Sequence, residues 1–431
     1  MAIANLKFQM TEARRIPQPS GLLHMAGRPK MAYVLCLLAL LQMANQSRAA
    51  DVPQSIRPFF APGAQFANDF GSYKSPLVFN DGTPVKTPAD WQRRRAEILA
   101  TWRGLLGTWP PLIEKPKVQY LEQQHRDNFT QHKVVVEIAP GGQTVAGYLL
   151  VPDAKSQRTD DRGQTTEGVA VLRSPSSVLR CPAVLVVFYD PETAVGLGKE
   201  KRDFGSQLAK RGFIVLSIGT PEFCSLKPPY QPLCETPAGQ SQLQPLSALA
   251  YVAANCHTAL ANLPNVDPQR IGVTGHSYGG KWAMFASCLY EKFACAVWSD
   301  PGIVFDETRP NINYWEPWYL GWDATNQRER GVPSDTRPRT GPYKTMIETG
   351  RDLHELHALM APRPFLVSGG AEDPPKRWQA LNHTVAVNKL LGSTNRVAMT
   401  NRPTHDPTPE SNDQLCAFFE HFLNRRSPTS P

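Results

Sequence analysis

No C-x-x-C pair occurs in this chain, which removes the thiolate spacing of a zinc ribbon. Internal repeats are lacking too. Charge is sparse at 19% of residues, and the net charge of +8 comes with only modest clustering of Lys and Arg. The run Arg93, Arg94 and Arg95 falls inside an amphipathic helix pattern and reads as its solvated face, so no nucleic-acid partner is expected. The apolar run MAYVLCLLALLQMA, from Met31, is about fourteen residues long, whereas a membrane span needs about 20. No stable membrane anchor is expected from it.

That run reads as an address. Arg28 and Lys30 precede it, and Ser47-Arg48-Ala49 follows as a small-x-small pattern suited to signal peptidase. Residues 1–49 are therefore read as a signal peptide and the protein as secreted or periplasmic, with Met25 the tidier start of that signal. Removing it takes Cys36 and leaves seven cysteines: Cys181, Cys224, Cys234, Cys256, Cys288, Cys295 and Cys416. An oxidising compartment permits disulfides. Cys224 and Cys234, flanking a Pro-rich loop, are the best local pair, and the odd count leaves at least one thiol unpaired or paired between chains.

With 431 residues, 41% of them hydrophobic, the chain can bury a large core. Residues 50–130 read as an N-terminal arm and helix. The arm, 51–86, is rich in Pro, Gly, Phe and Asn without a clear period. Thr87-Pro88-Ala89-Asp90 then supplies an N-cap, a proline at the first helical position and an acidic N3; the helix runs to about Leu106, with Trp91, Ile98, Trp102 and Leu105 on one face. Residues 131–425 read as the main domain. It opens with an antiparallel pair, 133–138 and 146–151, joined by Gly141-Gly142. After a polar loop at 154–170, buried strands (183–190, 213–219, 270–274, 294–300, 364–370) alternate with helices (203–212, about 246–263, 281–293, 352–360, 411–424). This alternation implies an α/β fold with a mostly parallel central sheet and helices on both faces.

RIGVTGHSYGGKWAMF, residues 270–285, carries the chemistry. Gly275-His276-Ser277-Tyr278-Gly279 is G-x-S-x-G, a weak pattern alone, but here it joins a strand ending near Thr274 to a helix starting near Lys281, as a nucleophile elbow does. Serine needs a base, and in such a fold the order is Ser, acid, His. His405 lies in a loop between the strand-like RVAMT and the last helix, and is the expected base. His421, within that helix, reads as structural, and His276 as pointing away from the turn. His354 and His357 can share a helix face as a metal pair, but no third ligand is spaced to complete a site, so neither metal nor cofactor is expected. FLVSGGAEDPP carries the acid: Asp373 is the choice, Glu372 its near rival and Asp300, after the preceding strand, the distant one. The backbone N–H of Tyr278 is the first oxyanion donor, and Tyr189 or Asp190, after VLVVFYD, the second.

These residues resemble the α/β-hydrolase superfamily. NVDPQRIGVTGHSYGGKWA is similar to the elbow of dienelactone-hydrolase-like and prolyl-oligopeptidase-like enzymes, and DLHELHALMAPRPFLVSGGAED to the acid region of secreted acetyl xylan and glucuronoyl esterases. The likeness covers roughly residues 130–425. Glucuronoyl esterases generally carry an Arg directly after the nucleophile and a Lys four positions after it; Lys281 matches the second, and Tyr278 stands at the first. The resemblance therefore implies carboxylic-ester hydrolysis rather than one named ester. An aromatic insertion at about 299–345 offers Trp315, Trp318, Tyr319 and Trp322, either as a stacking surface for sugar rings or as packing for an irregular segment.

The expectation is a serine esterase acting on a small-molecule or polysaccharide ester, acetyl xylan esterase-like, through Ser277, His405 and Asp373. A serine peptidase would share the triad, but residues 50–130 cannot form the gating propeller of prolyl oligopeptidases. A non-catalytic binding protein on the same fold is the other rival; filled triad positions in the right order argue against it. Oligomeric state is not readable from the chain.

Overall fold

The computed structural model describes residues 52–153, 180–221, 243–326 and 328–424. The signal-like run, the 154–170 loop, Cys224 and Cys234 lie outside them. One sheet organises the described chain: β1 (Val118–Arg126), β2 (Phe129–Ala139), β3 (Gln143–Pro152), β4 (Cys181–Val187), β5 (Ile214–Ile218), β6 (Val266–His276), β7 (Cys295–Ser299), β8 (Phe365–Gly369) and β9 (Val397–Asn401), in the spatial order β1-β2-β3-β5-β4-β6-β7-β8-β9. Pairing is antiparallel from β1 through β3 to β5, and parallel from β5 across to β9.

Burial explains the parallel half. Every residue of β4 is buried, and its side chains alternate between two cores: Ala183, Leu185 and Val187 face one, Val184 and Val186 the other. A strand apolar on both sides needs cover on both sides, and helices provide it. On the first face lie α1 (Pro88–Leu106), α4 (Pro245–Ala261) and α5 (Tyr278–Leu289), and on the second α3 (Phe204–Lys210) and α9 (Pro409–Leu423). Short α2 (Pro191–Ala194), α6 (Gly341–Glu348), α7 (His354–Ala358) and α8 (Trp378–Leu390) complete the described helices.

α1 begins where its signals put it. Thr87 Oγ1 accepts from Asp90 N while the Asp90 carboxylate accepts from Thr87 N, a capping box that satisfies two otherwise unpaired amides. Trp91, Ile98, Trp102 and Leu106 are buried; Leu105 is only half-buried, and Arg94, read as solvated, is also buried. β1 had no expectation because its side chains are mostly exposed, which erases the alternation that would reveal it. At the other end of the order, the chain leaves β4 for β5 and returns to the opposite side of β4 as β6. Open α/β sheets place their crevice at such a reversal, outside the carboxyl ends of the strands.

Candidate active site

β6 ends at His276, α5 begins at Tyr278, and Ser277 alone makes the turn, at φ 56° and ψ −112°. A non-glycine residue holds such a conformation only where its surroundings impose it. Here Ser277 N donates to Ser299 O at 2.8 Å, tying the turn to β7. The neighbouring glycines are required by space: a Cβ on Gly275 would lie 2.4 Å from Gly279 O, and one on Gly279 would lie 2.1 Å from Val187 O at the end of β4. α5 starts three residues earlier than its sequence pattern suggests, because the turn occupies a single residue.

The Ser277 hydroxyl meets His405, whose Nε2 lies 2.9 Å from Ser277 Oγ. The other ring nitrogen, Nδ1, lies 2.7 Å from Oδ2 of Asp300. This corrects the choice of acid. The Asp373 carboxylate is turned away from the histidine and accepts instead from Gly302 N at 2.8 Å and Ile303 N at 2.6 Å. Glu372 is also elsewhere, with Oε1 accepting from the Asn311 side chain at 3.0 Å. Asp300 wins on position. It follows β7, which pairs directly with β6, and its Oδ1 accepts from Gly370 N at 2.6 Å and from Asp373 N at 2.9 Å. Burial, with Asp300 close by, pushes the Asp373 carboxyl up from the usual range.

Behind His405 lies a polar scaffold that the sequence did not announce. Arg402, itself buried, donates to the His405 carbonyl at 2.7 Å, to Ser368 O at 2.8 Å, to Asp406 O at 2.9 Å and to Ser299 Oγ at 3.3 Å. Ser299 Oγ in turn lies 3.1 Å from His276 Nδ1, and the rings of His276 and His405 sit 4.6 Å apart. His276 therefore does not point away from the site. Burial, reinforced by charge on His405, holds its pKa well below the ordinary value, so it packs as a neutral ring. Asp406 takes ion pairs from Arg202 and Lys199, fastening the same loop from outside.

Of the expected oxyanion donors, Tyr278 opens α5 and Tyr189 follows the end of β4. The ring of Tyr189 stacks on that of Tyr278, the residue after Ser277, with centroids 4.4 Å apart, and stays 48% exposed. Trp315 and Trp318 do not form the expected stacking surface: they are 1% and 4% exposed, and Arg330 covers the Trp318 ring at 4.4 Å. The insertion folds inward because Tyr314, Trp315 and Tyr319 pack into the core around α5. Lys281 is buried among them. Its Nζ donates to Pro301 O at 2.6 Å and Asn311 O at 3.2 Å and lies over the Tyr314 ring, and desolvation lowers its pKa to about 8 against the raising pull of Asp373, Glu372 and Asp300.

His354 and His357 are buried on α7, where His354 Nε2 lies 2.6 Å from Lys74 O. Among the described residues no group of three or more His, Cys, Asp and Glu could hold a metal ion.

A parallel sheet reversing at β4 and β6, with a serine turned out at that point and a histidine and carboxylate from the following strand ends, is the architecture of the α/β-hydrolase fold. The chain has that fold, and two family models of such enzymes match parts of it. The dienelactone hydrolase family model matches residues 169–299, and the prolyl oligopeptidase family model residues 253–399. The chain is similar to a 4-O-methyl-glucuronoyl methylesterase of Wolfiporia cocos, 24% identical over 421 residues, covering 93% of this chain and 91% of that one. To the enzyme of that name from Schizophyllum commune it is 23% identical, over 62% of this chain and 57% of the relative, so it spans little more than half that protein. Among solved structures it is similar to a glucuronoyl esterase from Solibacter usitatus (TM-score 0.59, 19% identity, covering 81% and 97% of the two chains). A further likeness is to one from Caldicellulosiruptor kristjansonii (0.57, 20%, 86% and 95%). No described helix is long and apolar enough to cross a membrane.

Proposed function

We propose that this protein is a serine hydrolase of carboxylic esters borne on carbohydrate. The observation that carries the reading is the continuous chain of contacts from Ser277 Oγ to His405 Nε2, at 2.9 Å, and from His405 Nδ1 to Asp300 Oδ2, at 2.7 Å. His405 takes the hydroxyl proton as Ser277 attacks the acyl carbon, then returns it to the leaving alcohol. Asp300, fully buried, fixes the imidazole tautomer and stabilises the imidazolium as it forms. Oxyanion charge falls at the start of α5, where the Tyr278 N–H and the helix dipole favour it, with the Tyr189 N–H as the second donor. Water activated by the same histidine clears the acyl-enzyme.

The relatives named for 4-O-methyl-glucuronoyl methyl esters support a uronoyl ester as substrate, and the exposed Tyr189 ring offers a flat face for a sugar or an apolar alcohol. Lys281, buried beneath the site, spends two of its three donors on backbone carbonyls. The apolar run after Met31 makes export the accompanying proposal.

The test is hydrolysis of a methyl glucuronate ester, acetylated xylan and p-nitrophenyl acetate by wild type and Ser277→Ala. Preference for the glucuronate ester, lost in the variant, supports the full reading. Preference for acetylated xylan keeps the mechanism and replaces the substrate. Equal activity in both proteins, or none in either, overturns the mechanism.

A further inference from the structure

Away from Ser277, the N-terminal arm borders an open cleft of about 380 Å³ against α1 and the α6–α7 junction, lined by Lys74, Asn80, Arg94, Arg351 and Glu355 among others. Its volume is that of a small-ligand site, for which about 300–1,000 Å³ is usual. None of its lining residues belongs to the catalytic arrangement.

Its polar groups are unbalanced. Arg94, 4% exposed, donates through Nε to Pro76 O at 3.3 Å and through Nη1 to Asn80 Oδ1 at 2.8 Å and Glu97 Oε2 at 2.9 Å. Lys74 spends one of its three donors on Thr349 O at 2.7 Å, a neutral partner. Arg351 uses Nη1 alone, on both oxygens of Glu355 at 3.1 and 2.8 Å. Three cations thus face two carboxylates, and the Arg94 Nη2, the Arg351 Nε and Nη2 and the remaining Lys74 hydrogens have no acceptor among the described residues. Arg94 is held inside by Pro76 O, Asn80 and Glu97, and none of the remaining donors is a buried polar atom left without a partner, so they stay available to a ligand at the cleft.

We infer that this cleft binds a small oxyanion, a carboxylate or a phosphate, held by Lys74, Arg94 and Arg351. Two fixed guanidinium groups suit the two oxygens of such a group, and the lysine adds a point charge. Asn80, Ser75 and Glu355 line the rest and suit hydroxyls, while Val78 and Phe79 give one apolar side. A ring carboxylate of a uronic acid and free phosphate share the chemistry. Bound anion would also fasten the arm, since Lys74 belongs to it while Arg351 belongs to the main domain. The inference is independent of the esterase reading.

The experiment titrates the full chain with D-glucuronate, inorganic phosphate and, as neutral control, D-glucose, following binding by calorimetry and arm protection by limited proteolysis. Wild type is compared with Lys74→Gln/Arg351→Gln and with Lys74→Gln alone, which alters only an exposed arm residue should the double variant fold poorly. Saturable binding of either anion but not of glucose is expected, weakened at least tenfold in the variants, with p-nitrophenyl acetate hydrolysis unchanged. Selectivity for glucuronate would identify a sugar carboxylate, and selectivity for phosphate the free ion. No saturable binding, binding unaltered by the substitutions, or equal binding of glucose overturns the inference. Because binding is read without turnover, its failure and a failure of the esterase reading are separate results.

Discussion

Asp300 and Asp373 hold each other's loops: the Asp300 carboxylate accepts from the Asp373 amide at 2.9 Å, while the Asp373 carboxylate accepts from Gly302 and Ile303, just beyond Asp300. The loops after β7 and β8 are thus locked reciprocally, and only one of the two carboxylates reaches His405.

Asp300→Asn is therefore expected to lower kcat on an activated ester by on the order of 10³-fold or more, the scale for losing the tautomer-fixing acid. Asp373→Asn should lower stability and change kcat by less than about tenfold. Kinetics beside a thermal melt decide it; an equal kcat loss in a well-folded Asp373→Asn would return the acid role to Asp373.

Gly279→Ala drives a methyl to within 2.1 Å of Val187 O, backbone that cannot yield without parting β4 from β6. A loss of about 3 kcal/mol or more is expected. Gly104→Ala, on α1 with open space around it, should gain roughly 0.5–1 kcal/mol. Urea unfolding of both variants measures the contrast, and similar effects would refute the packing argument.

Arg402→Met removes the guanidinium that supports the His405 carbonyl and Ser299. A misplaced base costs rate more than binding, so kcat should drop roughly 10- to 100-fold with KM little changed. Arg402→Lys, a point charge without the fork, should recover only part of it. A KM rise with kcat preserved would assign Arg402 to substrate binding.

Acid stability has a sign that can be worked out. Burial lowers His257 to about 4 and His354 to about 3, so on acidification below the unfolded value of 6.5 the unfolded chain takes up protons that these folded histidines refuse. Their contribution is present above pH 6.5 and is lost as pH falls toward 4 and 3, by up to roughly 3 kcal/mol for His257 at about 1.4 kcal/mol per unit. Asp352, raised to about 7 by burial, acts oppositely between pH 7 and 3.8. His257→Phe keeps a ring against Tyr290 and Phe293 and should flatten the acid limb of the unfolding curve. An unchanged pH slope in that variant would sink the assignment.

Much of this was legible in the chain because it is written locally. The capping box of α1, the Gly141-Gly142 turn between β2 and β3, the continuous apolar run of β4 and the glycines around Ser277 each act within a few residues. The expected Ser277 and His405 pairing followed from chain order, and the fold brings the two side chains to 2.9 Å. What the chain alone left open was every choice between equivalents. Asp300 and Asp373 both follow parallel strands, and which one meets the histidine depends on the 105 residues of separation that only the sheet order and the reciprocal loop bonds resolve. Trp315 and Trp318, Arg94 and Lys281 carry the same ambiguity. A side chain's type says what it costs to bury, while whether it is buried depends on which distant backbone arrives to cover it or satisfy it.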